Sequence, residues 1–469
     1  MIFENLNEIQ KKSFFAIIVG SGPAGISTAL KLEQSGLNSL ILESGSADYN
    51  PDSEQYLDGN VIGDEYNDLK ISRLRQFGGT SGHWGGTCTV LKQNDFNDWP
   101  IKKTDLDIYE KEAGQILNIR KNFYHKKFSE NLDYFNSQWS NVRFYEKYFE
   151  YIKRSKKISL SLNTTFHSLE GLNGNIKKLI CFKKNFYKLN SKYVILSCGG
   201  IENSRSLLLA KKENPGLFKY ELPIGKYYMD HPKHDIGNGI IVYKQFKKFL
   251  ENQKIYNFPT LECKNIELSL NNNIQIKKKI LNSALIIRLK RTTPYTNFVR
   301  QASCVAPKFI QNIYSSFKEK DVYEFNLSIL QEQFPYRNNR IELGSKLDPL
   351  NLELPKIYWN STPLLIKSAQ IMINEFSDLL INKNIGRLSI NDNILDNKNY
   401  EYALGYHQMG GTRIGNNIND SVVDKNLLVF GFKNLYINGS SVFRTGGFAY
   451  PTFTIVQLAT RLGEHLIKA

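Results

Sequence analysis

Cysteine is scarce in this chain, and long apolar runs are missing. The 469 residues include five cysteines, an odd number. They are Cys88, Cys181, Cys198, Cys263 and Cys304. None of them forms a C-x-x-C pair, so both a disulfide framework and a zinc site are disfavoured, and we expect no metal. No stretch approaches the roughly 18 apolar residues of a membrane span. The run Phe14–Val19 is also too short for the apolar part of a signal peptide. We therefore expect a cytoplasmic protein with no integral membrane segment.

Dense tracts of one charge are also lacking, although the chain is basic overall. The formal net charge is +16 and the sequence pI is about 9.3. The densest basic groups, Lys153–Lys157 and Lys277–Lys279, are typical of solvated loops or faces. No nucleic-acid-binding motif accompanies them, so we expect no nucleic-acid partner. A binding protein for nucleic acid or an anionic glycan remains an alternative, which steeply salt-dependent binding would reveal.

The order of apolar patterns predicts an α/β protein with an inserted domain. Residues 1–233 and 396–469 carry buried-strand runs, helical patterns and glycine-rich turns, which predicts one Rossmann-like nucleotide-binding domain built from both ends. Residues 234–395 contain short alternating runs such as Ser283–Leu289, which predicts an α+β substrate-binding domain on an antiparallel sheet. Thr362 and Pro363 mark the start of a helix in this region. We expect residues 95–157 to be mostly helical.

A glycine-rich turn between a strand and a helix gives the strongest local signal. Gly20-Ser21-Gly22-Pro23-Ala24-Gly25 follows the first apolar run and precedes a helical pattern. Gly20 permits a tight turn, Gly22 lets the backbone approach a pyrophosphate, and Gly25 lets helix and strand pack closely. The helix N-terminus offers free N–H groups to the phosphates.

An acidic residue completes this motif. Glu43 closes the next apolar strand, about 20 residues after the first glycine, where it can accept hydrogen bonds from ribose hydroxyls. A carboxylate there would repel a 2′-phosphate, so an NADP site is disfavoured. The motif alone leaves FAD and NAD both open.

Four further segments accompany this motif in a fixed order. They are Gly78-Gly79-Thr80-Ser81-Gly82-His83-Trp84-Gly85-Gly86 with Trp99-Pro100-Ile101; Gly199-Gly200-Ile201-Glu202-Asn203 with Met229-Asp230-His231-Pro232; Glu332-Gln333 with Pro335 and Asn339-Arg340; and the stretch from His407-Gln408-Met409-Gly410-Gly411-Thr412-Arg413 through Asn434-Leu435-Tyr436-Ile437-Asn438-Gly439-Ser440 to Tyr450-Pro451-Thr452. With the first motif they resemble the glucose–methanol–choline (GMC) oxidoreductase family over nearly the full length. Within it, the chain is most similar to bacterial sugar and polyol dehydrogenases and to pyranose oxidase.

This resemblance implies FAD as the cofactor. It assigns cofactor-binding roles to Gly20, Gly22, Gly25, Glu43, Gly79, Thr80, Ser81, His83, Trp84, Gly86, Thr87, Gly439, Ser440, Pro451 and Thr452. The loop 78–87 would lie along the isoalloxazine ring, where glycines let backbone sit flat against a planar group. Pro451 and Thr452 would face the pyrimidine end of the flavin at a helix N-terminus. His83 falls where pyranose oxidase carries a histidine bonded to its flavin, but it follows glycine instead of threonine, and we do not favour a covalent link.

The resemblance also places the family's catalytic histidine at His407. A neutral imidazole can take the alcohol proton while the carbon gives hydride to the flavin. The family's second catalytic residue is usually histidine or asparagine, and Tyr450 stands at that position here. A tyrosine hydroxyl can hold the substrate oxygen by one hydrogen bond but is less basic. His231 and His234 could be structural or could line the substrate site.

The sequence thus predicts an FAD-dependent oxidoreductase that acts on the CH–OH group of a sugar, polyol or glycoside. The electron acceptor stays open among oxygen, a quinone and a protein carrier. Because Tyr450 departs from the usual pair, lyase-type chemistry without net oxidation is the alternative within the same fold.

Overall fold

The computed structural model describes residues 1–255, 265–289, 322–391 and 403–469. Two of the five cysteines, Cys263 and Cys304, lie outside these ranges, as does the predicted domain boundary at residue 395. Within the described ranges, no helix is both long and apolar enough to cross a bilayer.

The described residues form strands, α-helices and short 3-10 turns. The strands are β1 (Ser13–Val19), β2 (Ser39–Leu42), β3 (Asn60–Gly63), β4 (Thr87–Cys88), β5 (His125–Lys127), β6 (Leu132–Phe135), β7 (Gln138–Trp139), β8 (Ile158–Ser161), β9 (Thr165–Leu172), β10 (Asn175–Lys183), β11 (Asn185–Leu196), β12 (Pro232–Val242), β13 (Ile266–Leu270), β14 (Ser283–Leu289), β15 (Val322–Gln331), β16 (Arg340–Leu347), β17 (Glu353–Trp359), β18 (Gly386–Ile390), β19 (Ala403–Leu404) and β20 (Leu435–Ile437). The α-helices are α1 (Asn7–Gln10), α2 (Pro23–Gln34), α3 (Thr104–Asp107), α4 (Glu110–Ile116), α5 (Phe144–Arg154), α6 (Gly199–Glu213), α7 (Tyr243–Asn252), α8 (Asn272–Lys278), α9 (Pro363–Asn382) and α10 (Pro451–Lys468). Short 3-10 turns span Pro51–Leu57, Gly79–Gly82, Gln93–Phe96, Pro215–Leu217 and Ser440–Val442.

The first sheet has a parallel core that both ends of the chain build. Its order is β8-β2-β1-β11-β10-β9, and β20 pairs with β11 in parallel, with Val194 opposite Leu435. Ile17 and Ile18 of β1 are fully buried, as expected for a strand covered on both faces. Helices α2 and α10 pack closely, because a side-chain carbon added at Gly463 would come within 2.6 Å of Lys31 Cβ. The predicted α/β fold, with its two ends in one layer, is confirmed.

The second sheet is antiparallel and carries its own core. Its order is β18-β12-β15-β14-β13-β6-β5, and β19 pairs with β12. Strand β14 spans the predicted Ser283–Leu289 run. Helix α9 begins at Pro363 and packs on this sheet through Met372 and Phe376, which join Leu285 in one apolar cluster. Thr362 precedes α9 but its side chain makes no capping hydrogen bond.

One sequence-based expectation needs correction. Residues 95–157 include α3, α4 and α5, but also β5 and β6, which join the second sheet through the pairing of Phe135 with Glu267. Strands of three and four residues are too short to reveal a period of two, so the polar composition dominated the interpretation. The domain division at residue 233 stays a prediction, although the second sheet takes β5 and β6 from before it.

Candidate active site

A cavity of about 530 Å³ opens where the parallel strands of the first sheet end. Val19 at the end of β1 and Ser197 just after β11 both line it, at the edge where ligands bind in open α/β sheets. The cavity continues without a break to the edge of the second sheet, where Lys233 of β12 and Leu330 of β15 line it. Its volume falls within the range of small-molecule and cofactor sites.

The first glycine turn is built as the sequence motif requires. Gly20 has φ +101°, and a Cβ there would lie 2.5 Å from Ser197 O. A Cβ on Gly25 would lie 2.0 Å from Gly20 O, so Gly25 serves helix packing and does not line the cavity. Gly22 has no protein atom within 4 Å of its Cβ position and lines the cavity. The turn therefore keeps open space beside the N-terminus of α2, where unpaired N–H groups favour a phosphate.

Glu43 lies beside this turn and is buried, with its carboxylate already held by protein donors. Its Oε2 accepts the Ser21 N–H at 3.0 Å and the Ser21 hydroxyl at 2.6 Å, and its Oε1 accepts the Gly45 N–H at 2.7 Å. A carboxylate offers about four lone-pair sites, so capacity remains for a hydroxyl from the cavity. The same bonds fix the orientation of the side chain.

The loop 78–87 crosses the first glycine turn. A Cβ on Gly79 would lie 3.2 Å from Gly22 Cα. Six predicted residues of this loop line the cavity: Gly79, Thr80, Ser81, Trp84, Gly86 and Thr87. Trp84 is anchored by its ring N–H, which donates to Val142 O at 2.9 Å.

His83 does not join its neighbours in the cavity. Its side chain is exposed and it is not a lining residue. The 3-10 turn that ends here, with the His83 N–H donating to Thr80 O at 3.3 Å, brings Thr80 to the cavity and leaves His83 outside. The sequence position alone could not reveal this, because His83 leaves the 3-10 geometry, with φ -124° and ψ 10°, and its side chain no longer follows the direction set by the turn.

The C-terminal segments close the cavity from the other side. Gly439, with φ +116°, and Ser440 follow β20 and line it. Pro451 and Thr452, at the first turn of α10, also line it. Two helix N-termini therefore face the cavity, that of α2 near the start of the chain and that of α10 near its end.

His407 lines the part of the cavity next to the second sheet. Its backbone N–H donates to Asp230 Oδ1 at 2.7 Å, and its ring Nδ1 lies 2.9 Å from His231 Nδ1. Burial lowers the pKa of His407 well below 6.5, and electrostatic repulsion from His231 and Lys233 lowers it further. The ring is therefore neutral at neutral pH, with Nε2 as the nitrogen not engaged by His231. Tyr406, with φ 58°, sets the turn that presents it.

Tyr450 stands against His407. The two rings meet edge to face, with centroids 5.4 Å apart and planes at 86°. Burial raises the pKa of the Tyr450 hydroxyl above its usual value, so it stays a neutral O–H. It precedes Pro451 at the start of α10.

A buried polar network holds this corner together. Asp230 is fully buried, and its Oδ1 accepts hydrogen bonds from the backbone N–H groups of His231 and His407, each at 2.7 Å. Its Oδ2 accepts the Tyr66 hydroxyl at 2.8 Å. Burial raises the pKa of Asp230 to about 6, while these hydrogen bonds act in the opposite direction. The Asp230 N–H donates to Gln333 Oε1 at 2.8 Å, which ties in the Glu332-Gln333 segment.

Several lining residues were not predicted from the sequence. They are Arg75, Cys198, Glu202, Arg205, Lys233 and Tyr406. Glu202, Asp230 and His231 stood in the recognised segments, but their roles depend on partners far away in the chain. Arg205 is an example: it pairs with Glu202 at 3.1 Å and with the buried Asp348 at 2.6 Å, across 143 residues.

The chemistry of the lining fits a dinucleotide cofactor. Ser197 Oγ and Gln408 Nε2 are buried without a hydrogen-bond partner among the described residues, and both residues line the cavity. Such groups are costly unless a ligand or water satisfies them. Together with the open position at Gly22 and the carboxylate of Glu43, they provide donors and acceptors along the length of the cavity.

The fold is that of an α/β protein with an inserted antiparallel sheet, and the lining of its cavity is suited to a dinucleotide. Residues 335–459 match the family model described as GMC oxidoreductase. This match agrees with the resemblance that the sequence motifs indicated. A 2-methyl-1,2-propanediol dehydrogenase from Mycolicibacterium austroafricanum is 24% identical over 286 residues, which cover 60% of this chain. The chain spans about half (49%) of the length of that relative.

Solved structures share the fold across nearly the whole chain. A pyridoxine 4-oxidase from Mesorbium loti superposes with a TM-score of 0.60 at 11% identity, covering 96% of this chain and 98% of its own. An Aspergillus oryzae RIB40 formate oxidase, studied for the effect of a mutation on FAD modification, has a TM-score of 0.57 at 16% identity. That comparison covers 97% of this chain and 98% of the oxidase.

Proposed function

We propose that this protein is an FAD-dependent oxidoreductase that acts on CH–OH groups. One observation carries the proposal: a single cavity joins the glycine turn and Glu43 to the His407–Tyr450 pair. A site that binds a dinucleotide at one end therefore has an acid–base group at the other. The match of residues 335–459 to the GMC oxidoreductase model and the formate oxidase neighbour, studied for its FAD modification, support FAD over NAD.

The residues along the cavity suggest how FAD is held. The N-terminus of α2, with Gly22, and the turn at Gly439 and Ser440 would receive the pyrophosphate. Glu43 would accept from the ribose, and the loop 79–87 with Pro451 and Thr452 would hold the ring system. Bound there, FAD supplies a two-electron acceptor for the hydride of an alcohol carbon.

His407 would act on the alcohol proton. Its ring is neutral, and Nε2 carries the lone pair that a general base needs when Nδ1 is protonated. The Tyr450 O–H would donate to the substrate oxygen and hold the carbon in place. Tyr450 itself is no base at neutral pH, because burial keeps its proton on.

A polar alcohol is the substrate class we propose, with sugars, polyols and glycosides first. The relative named as acting on 2-methyl-1,2-propanediol supports an alcohol. Lys233 and Tyr406 add polar groups to the cavity next to His407.

The described cysteines Cys88, Cys181 and Cys198 are free, which supports a reducing, cytoplasmic compartment.

Anaerobic flavin reduction tests the proposal. Purified protein should be yellow, and its flavin should bleach with at least one member of a panel of sugars, polyols, glycosides and small diols. His407→Ala should keep the flavin and lose reduction by about 100- to 10,000-fold. A protein that cannot be loaded with FAD, or a flavin that no alcohol reduces, would overturn the proposal. A cleaved or eliminated product formed without an electron acceptor would establish the lyase alternative instead.

A further inference from the structure

We infer that His231 is a positioning residue that fixes the tautomer of His407, keeping the proton on His407 Nδ1 and the lone pair on Nε2. The role goes beyond the residues assigned above, and it rests on the proposed function of His407 as base. His231 is fully buried and does not line the cavity, so it acts through His407 and not on a substrate.

The geometry requires one shared proton between the two rings. The Nδ1 atoms of His231 and His407 lie 2.9 Å apart, and the ring planes are at 85°. Burial lowers the pKa of His231 to about 4 and that of His407 below its ordinary value, so both rings are neutral at neutral pH. Two neutral imidazoles at this distance form a hydrogen bond only if one Nδ1 carries a proton and the other does not.

The surroundings of His231 decide which ring donates. Its Nε2 lies against the backbone of Gly446, since a Cβ built there would be 2.9 Å away. The backbone of Gly446 and Gly447 raises the pKa of His231, which is the effect of carbonyl oxygens that face a ring N–H. Among the described residues no group makes a hydrogen bond to this buried nitrogen, and the adjacent Gly446 backbone is the polar group beside it.

A proton on His231 Nε2 determines the rest. The neutral ring then has its lone pair on Nδ1, which accepts the proton of His407 Nδ1. His407 in turn has its lone pair on Nε2, the form that can take a proton from an alcohol. The opposite arrangement would aim the His231 Nε2 lone pair at carbonyl oxygens and would leave His407 with an N–H facing the substrate. In a histidine, the hydrogen bond at one ring nitrogen sets the state of the other.

Backbone contacts hold the two rings in register. Asp230 Oδ1 accepts the backbone N–H of both histidines, and the backbone N–H of Gly405 donates to His231 O at 2.7 Å. The charged and titratable groups facing the pair are Asp230, Lys233 and Tyr450. Tyr450 is a neutral donor, so within the described residues His231 is the group that can accept from His407 Nδ1.

The test compares an acceptor with an apolar side chain at the same position. In His231→Asn, the amide oxygen can take the place of Nδ1 and still accept from His407. In His231→Leu, a side chain of similar volume leaves His407 Nδ1 without a partner. Nitrogen NMR of holoenzyme labelled at histidine reads the tautomer directly, and His407→Gln identifies the signals by removing them.

We expect wild-type His407 to be protonated at Nδ1 and bare at Nε2. His231→Leu should shift His407 toward the Nε2-protonated form and slow flavin reduction about 10- to 100-fold at saturating substrate, with substrate affinity and flavin content unchanged. His231→Asn should recover at least half of that loss on a logarithmic scale and restore the tautomer. A packing role alone would lower the Tm in both variants and leave the tautomer unchanged.

Two results would overturn the inference: a wild-type His407 protonated at Nε2, or a His231→Leu variant with the wild-type tautomer and rate. The tautomer is read without turnover, so this failure is separate from failure of the proposed function. In the latter case no alcohol reduces the flavin, whatever the tautomer of His407.

Discussion

The two ends of the cavity, which the proposed function makes a dinucleotide end and a catalytic end, are built in different ways. The dinucleotide end consists mainly of backbone, with Gly20, Gly22, Gly25 and Glu43 close together in sequence. The catalytic end consists of side chains from distant segments, and the His231–His407 contact joins residues 176 positions apart. The dinucleotide end lacks side chains where the cofactor would need space. The catalytic end depends on buried polar side chains that form hydrogen bonds with one another. The first end should therefore fail through added bulk and the second through lost hydrogen bonds.

The largest effect is expected at the glycine turn, where two matched substitutions should separate folding from cofactor binding. Gly25→Ala places a carbon 2.0 Å from Gly20 O and should cost about 3 kcal/mol of unfolding free energy or more, because backbone must move. Gly22→Ala meets no protein atom within 4 Å and should leave the Tm of the apoprotein nearly unchanged. It should weaken FAD binding about 10- to 100-fold, since the added methyl occupies cofactor space. Thermal melts with and without FAD measure both; full FAD affinity in Gly22→Ala would show that the cofactor lies elsewhere.

Local signals explain what the sequence could predict. The β1–turn–α2–β2 unit and Glu43 lie within about 30 residues, so glycine spacing and apolar periodicity were sufficient to place them. The Asp230 network was not predictable, because it forms only when β12 and the turn before His407 come together. The short strand β6 was hidden for the same reason, since its partner β13 follows it by more than 130 residues.

At the catalytic end, Tyr66→Phe should remove one donor from the buried Asp230. The carboxylate would lose its 2.8 Å hydrogen bond, so its pKa should rise further above about 6. A raised carboxyl pKa stabilises the folded state at low pH, and this stability is lost as pH rises through the folded-state value. The stability deficit of Tyr66→Phe should therefore widen from pH 5 to pH 8, reaching about 1–3 kcal/mol. Denaturant unfolding at both pH values measures it, and an equal deficit at the two would show that Asp230 does not depend on this donor.

The pH profile of flavin reduction should reveal the environment of the base. Because burial lowers the pKa of His407 below 6.5, the ring stays deprotonated as the pH falls through that value. We expect kcat/KM to change less than about twofold between pH 8 and pH 6.5, and to fall only at lower pH. A fall of about tenfold per pH unit that starts above pH 6.5 would indicate a base with an ordinary or raised pKa. The assay uses the alcohol that reduces the flavin most rapidly.

The smallest effect is expected at His83, which tests whether position in a loop implies contact with the ligand. Its neighbours Thr80 and Trp84 line the cavity, yet His83 is exposed and outside it. His83→Ala should change FAD affinity and reduction rate less than about twofold, since exposed substitutions away from a site are nearly neutral. Denatured wild-type protein should also release its flavin, because a ring that does not reach the cavity cannot bond to the cofactor. Flavin retained after denaturation in wild type, and released in His83→Ala, would mean that the loop rearranges on binding FAD. The dinucleotide end would then depend on a side chain as well, and the contrast between the two ends would no longer hold.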